Sequence, residues 1–166
     1  MQNTKYKTGF TIAELLLALA IASMLLAAVA VAFNASIINY RQNEDLFKAF
    51  NSARQATFRM ISQLRTADAV DPNSAANECA LITANGNDIT YRYNSGDNKL
   101  YLITNDDLTD SDYVLCDNVT AMTFTRDTVI EDMQTIVKSV QLSITVASNN
   151  VQQTVSAAAV IRRNLN

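Results

Sequence analysis

The sequence predicts an α+β chain, one long N-terminal helix followed by an antiparallel β-sheet. Three observations carry this expectation. From Leu15 to Phe33 the chain runs through 19 residues without a charge. Farther on, Leu46, Phe50, Ala53, Thr57, Met60 and Leu64 recur at 4-3-4-3-4 spacing, which is one stripe of a helix. After Pro72 the period shortens to two, as in Ile89, Tyr91 and Tyr93, the mark of a half-buried strand.

The first element is the stretch GFTIAELLLALAIASMLLAAVAVAF, residues 9–33. At about 1.5 Å rise per residue its charge-free part spans roughly 28 Å, close to the hydrocarbon thickness of a bilayer. Its Leu, Ile, Val and Phe residues together favour insertion by about 3 to 6 kcal/mol. Glu14 is the one charge inside the stretch. It stands at the end of the span, where a carboxylate costs less than at mid-span, and an ionisable group in such a place calls for a functional reason. Lys5 and Lys7 precede the span, so the N-terminus is expected in the cytoplasm and the rest of the chain outside the inner membrane. A secretory signal peptide is the plainer alternative, and Ala28-Val29-Ala30 and Ala30-Val31-Ala32 fit a cleavage site. Against it stand the length of the apolar run and its carboxylate.

The helix is expected to continue from Phe10 to about Ala67, since no Pro or Gly occurs between Asn34 and Asp68. Arg41, Lys48 and Arg59 fall opposite the apolar stripe. Tyr40, Phe47 and Phe58 form another line about 100° around. The preferred reading of that line is a widened buried face; the other is a surface that packs against neighbouring helices. Asp71-Pro72 then ends the helix.

Beyond Pro72, Asn85-Gly86 and Ser95-Gly96-Asp97-Asn98 signal turns. Leu100–Thr104, Val114–Cys116 and Ala121–Thr125 are expected strands. Ile136, Lys138, Val140, Leu142, Ile144 and Val146 share one face of a longer strand, all apolar but Lys138. Asn149-Asn150 turns it, and Val151–Ile161 returns. The apolar face of this single antiparallel sheet needs a cover, and the amphipathic half of the helix is the natural one. The expected division is therefore residues 1–9, 10–33, 34–70 and 71–166: a leader, a membrane-spanning helix, an amphipathic helix and a sheet domain.

Composition narrows the chemistry. The chain has no histidine, which removes Ser-His-Asp and Cys-His catalysis and the common zinc sites. Glycine is confined to Gly9, Gly86 and Gly96, so no phosphate-cradling loop is present. An enzyme is not expected, nor a cofactor. Loss of Lys5 and Lys7 with the leader would leave 11 basic residues against 16 acidic, a formal charge of −5 that argues against nucleic acid as a partner. Cys79 and Cys116 both fall in the part expected outside the inner membrane, where disulfides persist. A bridge between them would contribute roughly 3–4 kcal/mol; two buried, unpaired thiols are the alternative. Asp106, Asp107, Asp110 and Asp112 crowd one loop as a weak calcium candidate. The EF-hand pattern is absent, and a solvated acidic loop is the preferred reading.

The N-terminal residues resemble a family. Lys5-x-Lys7-x-Gly9-Phe10-Thr11-x-x-Glu14 followed by a Leu/Ala-rich span resembles the class III signal of type IV pilins and type II secretion pseudopilins. The resemblance implies a pilin-like fold, cleavage after Gly9 by a prepilin peptidase, and N-methylation of Phe10. It also implies that Glu14 is the glutamate which governs subunit docking, where a buried carboxylate needs a cationic partner such as the free amine of a neighbouring Phe10. The span departs from many major pilins in having no proline. The segment VLCDNVTAMTF and the hairpin ending VIRRNL resemble minor pilins of the PilW type and minor pseudopilins of the J type. The implied partners are other pilin or pseudopilin subunits. The implied role is a minor structural subunit of a type IV pilus or type II secretion pseudopilus. A tip adhesin or DNA-uptake subunit is the alternative.

Overall fold

The fold is α+β with a pilin-like layout, one long N-terminal helix followed by antiparallel sheets. A computed structural model describes residues 9–106, 112–131, 133–148 and 151–164. The chain divides into two compact units, Met1–Arg41 and Gln42–Asn166. Helix α1 runs over Ile12–Thr66 without interruption. Its start is set by Thr11, whose hydroxyl accepts from the Glu14 amide at 3.3 Å while the Glu14 carboxylate accepts from the Thr11 amide at 2.9 Å. This reciprocal capping box satisfies amides that a helix start leaves open.

In the first unit the helix is exposed along its length. In the second, its buried residues are Ala49, Ala53, Ala56, Thr57, Met60 and Leu64. That matches the expected stripe, with Leu46 and Phe50 only half-buried at its upstream end. The helix stops at Thr66, ahead of Asp71-Pro72, because Asp68 and Asp71 already donate their amides to Ile82 and Ala80. The strand β1 (Ala69–Val70) thus occupies residues expected to end the helix.

One sheet was expected; two are present among the described residues. The first orders β1, β2 (Glu78–Ile82), β3 (Asp88–Asn94), β4 (Lys99–Thr104) and β5 (Tyr113–Cys116) side by side, all antiparallel. Ile89, Tyr91 and Tyr93 face inward as their alternation predicts. Gly86, at φ 85, and Asn98, at φ 58, take the left-handed positions of the two predicted turns. The second sheet orders β6 (Val119–Glu131), β7 (Gln134–Ser148) and β8 (Val151–Val160). Ser148 pairs with Val151; Asn149 and Asn150, the expected turn, lie outside the described residues.

The β7 pattern needs a correction. Val140, Leu142, Ile144 and Val146 are buried, but upstream Val137 is buried in place of Ile136. The β6–β7 register slips between Asp127 and Thr128: Asp127 opposes Ser139 and Thr128 opposes Val137, so Lys138 has no opposite number. A bulge of one residue reverses which side chains point inward. Lys138 reaches Glu131 at 2.7 Å, and its carbonyl accepts from the Ile161 amide at 2.9 Å.

The core is one cluster within the second unit, drawn from the helix and from both sheets. Arg126 of β6 links the sheets. Its guanidinium donates to the carbonyls of Ser74 at 3.0 Å and Ala75 at 3.4 Å, and to that of Glu78. The Phe124 amide donates to the Ala76 carbonyl at 2.7 Å in the same loop.

The expected Cys79–Cys116 bridge is not formed; both residues are free and buried. They lie on β2 and β5, with β3 and β4 between. Three strand spacings amount to about 14 Å, well beyond the roughly 4.4–6.8 Å between Cα atoms that a disulfide spans.

Candidate processing and assembly site

The predicted site residues Gly9, Phe10 and Glu14 sit together at the start of α1. Gly9 is exposed, and a Cβ built on it would meet nothing within 4 Å. Its backbone is not among the positive-φ glycines. Nothing in the fold of this chain therefore requires a glycine there. Phe10 is 89% exposed.

Glu14 has a partner that sequence reading missed. Its carboxylate accepts from both the amide and the hydroxyl of Thr11, at 2.9 and 3.0 Å. The Thr11-Ile12-Ala13-Glu14 spacing is a capping box, a signal present in the sequence but hidden by attention to the apolar run. One carboxylate oxygen, Oε2, makes both contacts, which leaves Oε1 to interact elsewhere.

Downstream of Glu14 the helix is long and apolar enough to cross a membrane, and none of that apolar window is buried inside the chain. Leu15, Leu19, Leu26 and Val31 all stand open. An apolar surface of this extent needs lipid or protein around it.

Other candidates lie in the second unit. Phe47 and Phe58 are 65% and 79% exposed, as is Tyr40 of the first unit at 70%. This overturns the reading of that line as a widened buried face. The core stripe is already filled from the sheets, and a position about 100° around the helix points past them.

Of the calcium candidates, Asp107 and Asp110 lie outside the described residues. Asp106 accepts from the Asp88 amide at 2.7 Å, beside Asn105, which donates to the Asp88 carboxylate at 2.8 Å. This pins the end of β4 to the start of β3. Asp112 is exposed. No group of three or more His, Cys, Asp or Glu suited to a metal occurs among the described residues.

Residues 4–30 match the family model described as the prokaryotic N-terminal methylation motif. The match takes in Gly9, Phe10, Glu14 and most of the apolar run, and leaves the second unit unmatched. No curated protein and no solved structure matches the chain. The motif marks a substrate of prepilin-type cleavage and methylation, carried on an N-terminal helix with the apolar length of a membrane anchor.

Proposed function

We propose that this chain is a structural subunit of a type IV pilus or type II secretion pseudopilus, and specifically a minor subunit. It is made as an inner-membrane precursor with its N-terminus in the cytoplasm and the second unit outside. Prepilin peptidase cuts between Gly9 and Phe10, and Phe10 is methylated. The apolar half of α1 then passes from lipid into a fibre core among other pilin or pseudopilin subunits. The observation that carries this reading is the methylation motif at residues 4–30, set on a helix whose apolar window is wholly uncovered. The glycine that no internal contact explains fits a residue read by an external peptidase. The minor role rests on the resemblance of VLCDNVTAMTF and the final hairpin to minor subunits.

Glu14 has two roles to separate, capping its own helix and docking its neighbour. Glu14→Gln keeps an acceptor for the capping box but removes the charge. Thr11→Ala removes the cap but keeps the charge. The expected result is a mature chain that begins at N-methylated Phe10 in both variants, with fibre incorporation lost in Glu14→Gln and kept in Thr11→Ala. Normal incorporation of Glu14→Gln would refute the docking role. An unprocessed chain, or one starting near Phe33, would refute the processing assignment.

A further inference from the structure

Among the described residues, β1, β5, β6 and β8 are the strands that end the two sheets. Three of them are poor templates for further pairing. β1 has two residues and β5 has four, while β6 carries Arg126, Asp127 and Glu131. Shortness, charge and proline are what keep a sheet edge from pairing again. β8 differs: its 10 residues, Val151–Val160, include no charge, no proline and no glycine. The Ile161 amide donates to the Lys138 carbonyl at 2.9 Å. Alternation along an antiparallel ladder then turns the amides of Ala159, Ala157 and Val155 toward β7. Those of Thr154, Ser156, Ala158 and Val160 turn to the open side, where no other strand lies among the described residues.

The end of that open edge meets α1. The first sheet contacts the helix on one flank of the buried Met60–Leu64 line, where Tyr91 donates to Gln63 and Arg59 lies over the Tyr113 ring. Gln63 and Arg59 stand about 80° and 120° to that side of the line. Ile61 and Arg65 stand about 80° and 120° to the other side. There they line a hollow with Phe58, Ser62 and Arg162, and Arg162 opens the turn that follows β8. Ile61 of the helix and Val155 and Ala157 of β8 are half-buried against the core, while Phe58 is 79% exposed. Neither Arg65 nor Arg162 forms an ion pair among the described residues, whereas Arg163 pairs with Asp68. The hollow therefore joins an unpaired strand edge to an apolar and cationic strip of helix.

We propose that an extended segment of another protein adds to β8 as a further antiparallel strand. Its main chain pairs with the open amides and carbonyls of Thr154, Ser156, Ala158 and Val160. Side chains on its inner face continue the surface of Val155, Ala157 and Ala159 onto Ile61 and Phe58. Because the added strand runs antiparallel, it begins beside Arg162. Its first residues therefore supply the carboxylates that Arg65 and Arg162 lack. The partner is a strand with an acidic start and apolar side chains at alternate positions after it. A second copy of this chain does not meet that description. Its own β8, paired antiparallel, would bring residues 148–151 toward Arg162, and these contain no carboxylate. Nothing in this contact involves Glu14 or the apolar half of α1.

The test uses the full-length chain in detergent micelles and a dye-labelled peptide of two glutamates followed by three valine-threonine repeats. Binding is expected by fluorescence anisotropy. Amide exchange at Thr154, Ser156 and Ala158 should slow by about tenfold or more in the complex, while Val155 and Ala157, already bonded to β7, change little. N-methylation of the peptide amides that face β8 should weaken binding by about tenfold or more. Lysines in place of the two glutamates should do the same, and Arg65→Glu/Arg162→Glu should reverse that preference. Ala158→Pro removes an outward amide but no bond to β7, so it should abolish binding in a folded chain. If that variant melts early, the charge reversal still decides, since Arg65 and Arg162 are both exposed. Failure of the peptide to bind overturns the proposal. So does binding that ignores N-methylation or the charge reversal, or that leaves exchange at Thr154, Ser156 and Ala158 unchanged. Slowed exchange that accompanies self-association in sedimentation, without peptide uptake, would give the edge to a second copy and also overturn it.

Discussion

At the residue scale, three buried groups set how this fold responds to alkali. Burial pushes the Cys79 thiol up to about 11, tempered by the Arg126 guanidinium beside it. Burial and the adjacent Asp117 push Cys116 up to about 12. Tyr91, whose hydroxyl donates to Gln63, is raised to about 12, again by burial first. All three are neutral when protonated. In the unfolded chain thiols ionise near 9 and the tyrosine near 10. Between those values and the folded ones the unfolded state binds fewer protons, so stability falls as pH rises. Each group whose unfolded form is ionised steepens the loss by about 1.4 kcal/mol per pH unit. The melting temperature should hold steady up to about pH 8 and drop above about pH 9. Cys79→Ala/Cys116→Ala should flatten the first part of that drop; an unchanged slope would sink the argument. The thiols should resist a water-soluble thiol reagent until denaturant is added, and an intact mass two hydrogens lower would show a bridge after all. The sequence held both thiols but not their separation. That depends on two strands inserted between them, which no spacing of cysteines reveals.

At the element scale, helix α1 shows what periodicity reads well. The 4-3-4 stripe named Ala53, Thr57, Met60 and Leu64 correctly because a single helix face has one geometry. It could not tell whether the line of Phe47 and Phe58 was also covered, since that depends on how wide a surface the sheets present. Met60 is fully buried and Phe58 is 79% exposed, only two positions away. Met60→Ala should therefore cost about 2–5 kcal/mol in a denaturant titration, while Phe58→Ala should stay within about 0.5 kcal/mol. A large loss for Phe58→Ala would mean that the ring supports the fold, and would remove it as a contact surface. In β7 the reading failed at one residue for a definite reason. Lys138 looked like a charge on an apolar face because strict alternation was extended through a bulge. The odd residue was itself the signal of the slip.

At the scale of the whole molecule, the core lies entirely in the second unit, between Ala49 and Ile161. The general order of helix then strands was legible because hydrophobic period changes from helical to alternating at Pro72. The split into two sheets was not. β6 pairs with β7 and not with β5, and Arg126 and Phe124 tie it back to the loop before β2, contacts about fifty residues apart that leave no local pattern. The position of the core yields a further prediction. A fragment of residues 42–166 should fold alone to a soluble, cooperatively melting domain. Its new helix start places Glu44 and Asp45 in the first turn, where carboxylates favour the exposed amides. The apolar half of α1 contributes no buried residue to this core, so the fragment should melt within a few degrees of the full chain in detergent. A fragment that begins at Asn51 makes the contrast. It loses Ala49 and half-buried Phe50, and uncovers Cys116, whose sulfur lies 4.0 Å from the Ala49 carbonyl. That shorter piece should melt several degrees lower and expose one thiol to reagent. If both fragments melt alike, the upstream end of the core stripe contributes nothing. If the longer one fails to fold, the second unit depends on the helix that precedes it.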